Sequence, residues 1–155
     1  GSASQSPPAE PTASAKPVID GITVIDPADG TENDSQLPRI LDGDPDTAWK
    51  SGRYNTALFG GLKKQLSLVV ALDERATVTS VEVDSQGSDG IAELRVSDTG
   101  TYEDSQVVAT GTITDGMLVL TPQTPIATKY VIVSFTRAPI IRGKGQVIVS
   151  DLKIR

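Results

Sequence analysis

The chain has 155 residues, of which 37% are hydrophobic, and carries a net charge of −6. That length suits one domain, the charge excludes nucleic acid as a principal partner because that role needs a basic face, and no stretch approaches the ~20 apolar residues of a membrane-spanning helix. There is no cysteine and no histidine, so the fold uses no disulfide, and both the commonest general base and the usual zinc ligand are missing.

Gly1-Ser2 reads as a cloning scar. Residues 3–17 are Ala, Ser, Pro, Thr and Gln with almost no large apolar side chain. Such a segment buries too little surface to offset its ordering entropy, so 1–17 is expected to be a scar plus a disordered linker, and 18–155 the folded domain. A first strand is expected over 21–26, followed by a polar loop and one helical turn within 36–41. A long polar loop covers 51–64. Further strands are expected over 65–72, 78–83, 91–96, 107–113, 117–120, 129–136 and 146–154. In 65–72, Leu66, Leu68, Val70 and Leu72 share one face; in 129–136, Val131, Val133 and Phe135 do. Turns are expected at Ser88-Asp89-Gly90, Asp98-Thr99-Gly100, Asp115-Gly116 and Thr121-Pro122. Many short strands with turn residues between them predict an all-β sandwich or barrel.

The densest chemistry lies in Leu41-Asp42-Gly43-Asp44-Pro45-Asp46-Thr47-Ala48-Trp49. Three alternating carboxylates repel one another unless neutralised. Gly43 permits positive φ and Pro45 fixes the next φ. Two readings stay open: a turn closed by its own Asp side chains, or a loop of carboxylate, carbonyl and hydroxyl oxygens around calcium. An EF-hand is a poor third option, because its glycine and glutamate positions fall on Thr47 and Arg53.

Asp42-Gly43-Asp44-x-x-Thr47-x-Trp49, preceded by Ile40-Leu41, resembles the hallmark segment of discoidin domains, also called factor five/eight type C or galactose-binding-like domains. Leu66-Ser67-Leu68, Val78-Thr79-Ser80-Val81-Glu82-Val83, Leu94-Arg95-Val96-Ser97-Asp98, Thr128-Lys129-Tyr130-Val131-Ile132-Val133 and Val149-Ser150-Asp151-Leu152-Lys153-Ile154 follow in the order of that family's later strands. Pro27-Ala28-Asp29-Gly30-Thr31-Glu32-Asn33, with Arg53-Tyr54 and Phe59-Gly60-Gly61-Leu62-Lys63, is similar to the extracytoplasmic C-terminal module of actinobacterial MviN-type proteins, which resemble lipid II flippases. The resemblance implies a jelly-roll β-sandwich. It also implies a structural Ca2+ held by Asp42, Asp44 and Thr47, with the Arg39 carbonyl and with Asp151 where carbohydrate-binding members carry a glutamate. Trp49 is then a core residue.

The basic residues gather in two loops, Lys50, Arg53, Lys63 and Lys64 in one and Arg137, Arg142 and Lys144 in the other, on an otherwise acidic chain. Arg53, Tyr54, Phe59, Arg137 and Arg142 are the candidate ligand contacts: cations for a phosphate or carboxylate, aromatic rings for a sugar face. Solvated loop charge is the competing explanation. Tyr102 is a third loop aromatic. The histidine and exposed tryptophan that usually contact sugar in the resembled family are absent.

Catalysis finds no support. Asp98-Thr99-Gly100 lacks the preceding apolar residue of an aspartic-protease motif and stands alone where two aspartates must share a proton. A serine nucleophile would have no histidine, which leaves only a Ser-Lys pair open, and no carboxylate spacing suggests a glycosidase pair. The sequence-based expectation is a monomeric, non-catalytic binding module outside the cytoplasm, tethered to a membrane by a segment outside this sequence. It would recognise cell-wall glycan or a peptidoglycan precursor, or alternatively dock a cell-wall assembly protein without sugar binding.

Overall fold

A computed structural model describes residues 16–26, 33–61 and 63–155. The expected linker up to residue 15, most of the Pro27–Asn33 likeness and Leu62 lie outside the described residues.

One antiparallel sheet curls on itself. β1 (Ile19–Ile25) pairs with β3 (Leu66–Val78), β3 with β6 (Ile126–Arg137), and β6 with the C-terminal half of β4 (Val81–Ser97). β5 (Gln106–Leu120) follows β4 along its length. β9 (Ile148–Ile154) pairs with β4 through residues 81–85 and carries β2 (Trp49–Lys50) on its other side. β7 (Ile140–Ile141) and β8 (Lys144–Gly145) form a small hairpin whose first strand touches β4 at Ser88. The expected jelly-roll β-sandwich is the observed fold.

β4 makes this closure possible. Its first part faces β9 and its last part faces β6, and it changes partner across an irregular stretch, 85–91. The turn expected at Ser88-Asp89-Gly90 is therefore a bulged bend inside one strand, and the turn expected at Asp115-Gly116 is its counterpart inside β5. Asp89 and Asp115 take left-handed φ values of 64° and 62°, and Asp115 accepts a hydrogen bond from the Gly87 N–H at 2.9 Å. Bulges bend a strand and raise its twist without ending the pairing, which is why Gly/Asp signals read as strand ends here mark a corner.

Leu66, Leu68, Val70 and Leu72 are buried together with Val131, Val133 and Phe135, as the alternation predicts. Trp49 is fully buried; its β2 strand, read as part of a loop in the sequence, docks on Ile148 and Val149. The expected helical turn is a 3-10 segment, Asp34–Ile40, whose Leu37 and Ile40 join the same core.

Candidate functional site

The acidic loop is pinned at both ends by core residues, Ile40 before it and Trp49 after it. Gly43 takes φ +71°, the left-handed conformation expected of it. Asp42 Oδ1 accepts the Asp44 N–H at 2.9 Å, and Asp44 Oδ1 accepts the Asp46 N–H at 2.9 Å. The Thr47 hydroxyl donates to Asp42 Oδ2 at 2.5 Å and lies 3.2 Å from the Asp44 carbonyl. These bonds, from Thr47 first and the Asp44 N–H second, hold the Asp42 carboxyl below its ordinary range.

The aspartates close their own turns, and a carboxylate, a hydroxyl and a carbonyl oxygen converge beside Thr47. That donor chemistry suits a hard cation. Among the described residues no three carboxylates group closely enough to hold an ion by themselves, so Asp42, Asp44 and Asp151 do not form one carboxylate cluster. Asp151 sits on β9, paired with Asp84 and 4.0 Å from Lys153. The β2–β9 pairing runs Lys50↔Ile148 and Trp49↔Val149 and ends there, two residues short of Thr47 and Asp151.

The two basic loops converge. Tyr54 and Gly145 exchange backbone hydrogen bonds at 2.8 and 3.0 Å, and the Ala138 N–H donates to the Ala57 carbonyl at 2.7 Å. Lys144 Nζ donates to Asn55 Oδ1 at 3.2 Å, and Gln146 Nε2 to the Ser51 carbonyl at 3.0 Å. Gly145 is needed there: a Cβ would stand 2.4 Å from the Thr56 carbonyl oxygen. Arg53, Arg137, Arg142 and Lys144 are exposed. Arg142 and Gly143, with φ values of 52° and 79°, make the two-residue turn between β7 and β8, the left-handed pair a tight hairpin requires.

Two of the expected contacts are corrected. Phe59 is fully buried and Tyr54 nearly so, with their rings edge to face at 5.2 Å; both belong to the core. Phe59 turns inward at φ +57°, and its neighbour Leu58 stands out at 57% exposure. Lys63 is also corrected. Its side chain is buried, 2.7 Å from Asp26 Oδ2 and 2.8 Å from the Tyr54 hydroxyl, so it is no part of the exposed basic patch. Tyr102 lies under the Arg95 guanidinium at 4.1 Å.

Sequence reasoning missed Asn55 and Leu58, which share the end of the sandwich with the arginines. Nothing local marks Asn55, because its partner Lys144 is 89 residues away. A groove of about 280 Å3 between Gln86, Gly87, Ser88, Asp115, Ile140 and Ile141 opens next to Arg142. A wider cleft, about 480 Å3, lies elsewhere, among Arg75, Asp98, Asp104, Gln106 and Ala127.

No family model matches the chain. Solved structures do resemble it. The family 32 carbohydrate-binding module of C. perfringens NanJ, solved with galactose, is 18% identical with a TM-score of 0.59, covering 86% of this chain and 91% of that one. The corresponding module of AlyQ, solved with 4,5-unsaturated mannuronic acid, is 14% identical with a TM-score of 0.63, covering 89% and 95%. Chitosan-binding module 1 of a Paenibacillus sp. IK-5 chitosanase/glucanase is 22% identical with a TM-score of 0.62, covering 92% and 95%. At these identities the likeness is one of fold: the described residues share the jelly-roll sandwich of family 32 carbohydrate-binding modules.

Proposed function

We propose that this domain is a non-catalytic glycan-binding module whose ligand sits where the 51–61 loop meets the 137–146 loop. The reciprocal Tyr54–Gly145 pairing carries the reading, because it brings four exposed cations from two distant segments to one end of an acidic protein. Guanidinium groups recognise phosphate and carboxylate oxygens bidentately. The ligand is accordingly an anionic glycan, of the kind a cell-wall polymer or a peptidoglycan precursor supplies. The similar solved modules, crystallised with galactose and with an unsaturated mannuronic acid, support a sugar ligand. On this reading the module works outside the cytoplasm, joined to a membrane-anchored parent protein by the 3–17 linker.

A structural calcium ion belongs to the same proposal. Asp42, Asp44 and Thr47 would hold it, with the Arg39 carbonyl and Asp151 completing the shell. The approach of Asp42 Oδ2 and the Asp44 carbonyl to the Thr47 hydroxyl supports it.

One observation favours a second reading, a protein-docking module without sugar binding. With Tyr54 and Phe59 in the core, the described residues of the basic end offer Leu58 and no aromatic face. An amide NMR titration separates the two. Muropeptides and soluble anionic glycans should shift Arg53, Asn55, Arg142 and Lys144, and Arg53→Ala with Arg142→Ala should abolish the shifts. Silence with every glycan would sink the sugar reading and favour a protein partner.

A further inference from the structure

The wider cleft lies at the other end of the sandwich. β6 begins at Ile126, beside the cleft, and ends at Arg137, among the basic loops. Its 12 residues separate the two places by about 35 Å along the strand. The cleft's volume of about 480 Å3 falls within the range of small-ligand sites.

Its walls are braced from three elements. Ser97 Oγ accepts the N–H groups of Thr99 and Gly100 at 3.0 Å, and the Thr128 hydroxyl donates to the Ser97 carbonyl at 3.0 Å. Arg75 donates to Asp98 Oδ2 at 2.8 Å and to the Ala127 carbonyl at 3.2 Å. Asp104 Oδ2 accepts from Thr99 at 2.9 Å. The site is therefore preformed, which lowers the ordering cost of binding.

Its charge is opposite to that of the basic end. Two carboxylates, Asp98 and Asp104, and one guanidinium, Arg75, line it, and Gln106 adds an uncharged amide. The nearby Lys129 ammonium is turned to the carbonyls of Leu72 and Asp73. Arg75 and Asp98 are more than half exposed, so the pair contributes little to stability. It does set a donor beside an acceptor, the pattern that two adjacent ring hydroxyls match. A phosphate or uronate would meet net negative charge here.

We infer that this cleft is a second ligand site, for a hydroxylated ring carrying a protonated amine: an amino sugar with a free ammonium group. Asp98 and Arg75 take the hydroxyls, and Asp104 takes the ammonium. The site is independent of the basic end and of the function proposed for it.

The test is an amide NMR titration with glucosamine, glucose and glucuronate as separate probes. Glucosamine should shift Asp98, Thr99, Asp104, Gln106 and Ala127, glucose should bind about tenfold more weakly, and glucuronate should leave these signals still. Asp98→Asn with Asp104→Asn should remove the response. Gln106→Arg, at an exposed position that adds a cation without touching the Asp98 turn, should remove it too. Arg53→Ala with Arg142→Ala should leave it unchanged. No shift at these residues with glucosamine, an equal shift with glucuronate, or a response that survives Gln106→Arg would overturn the assignment.

Discussion

Lys63 Nζ stands 2.7 Å from Asp26 Oδ2 and 2.8 Å from the Tyr54 hydroxyl, with both charged side chains at most 2% exposed. This buried pair ties the end of β1 to the loop that carries Arg53. Removing one partner of such a pair strands a charge, which costs about 3–5 kcal/mol, whereas replacing both by apolar groups is often neutral. Lys63→Met should lower the unfolding free energy in urea by that amount. Lys63→Met with Asp26→Leu should recover most of it. A single variant with unchanged stability would mean that the pair is solvated in solution.

Buried and exposed positions alternate within one loop, with Phe59 in the core and Arg53 on the surface. Phe59→Ala should destabilise the domain by about 3–5 kcal/mol, the usual cost of emptying a buried aromatic site. Arg53→Ala, at an exposed position, should stay within about 0.5 kcal/mol of the parent while weakening any anionic ligand. Thermal melts and a titration on both variants check this; a stable Phe59→Ala that had lost binding would return Phe59 to the ligand site.

Gly145 governs the meeting of the basic loops. A methyl group there would stand 2.4 Å from the Thr56 carbonyl oxygen, which is backbone and cannot swing aside. Gly145→Ala should cost about 1–3 kcal/mol as an overpacking change and should weaken the Tyr54–Gly145 hydrogen bonds. Amide hydrogen exchange at Tyr54 and Gly145 reads this directly: protection falls at these two positions first, with β3 and β6 unaffected.

Much of the fold was legible because alternation is a local signal. Leu66 to Leu72 and Val131 to Phe135 announce their buried face by period alone. The corners were not legible. Ser88-Asp89-Gly90 has turn composition, and only the changed partners of β4, from β9 to β6, make it a bend within a strand. The site was half legible. Arg53 and Arg142 are cations in the sequence, and the structure leaves both exposed. That Phe59 turns in while Leu58 turns out depends on the left-handed φ of Phe59, which a non-glycine residue seldom adopts. Lys63 reads as one more surface cation in the sequence, because its partner Asp26 lies 37 positions away.

The Asp42 carboxyl gives a pH signature for the acidic loop. Its folded pKa is held down by the Thr47 hydroxyl and the Asp44 N–H, below the unfolded value of about 3.9. A depressed carboxylate contributes stability that is fully present above the unfolded pKa and is lost as pH falls through the lower folded value. The contribution is small, since Asp42 is exposed. It should still be visible as an Asp44 amide shift that titrates below the range of an ordinary aspartate. Thr47→Val removes the largest cause, so the midpoint should rise toward 3.9 or thereabouts. Calcium adds a second readout. An ion taking Asp42, Thr47 and the Asp44 carbonyl competes with protons for the same carboxylate, so calcium should lower the midpoint further and EDTA should reverse it. A midpoint that ignores calcium, in a loop that still responds to Thr47→Val, would identify the loop as a turn closed by its own hydrogen bonds.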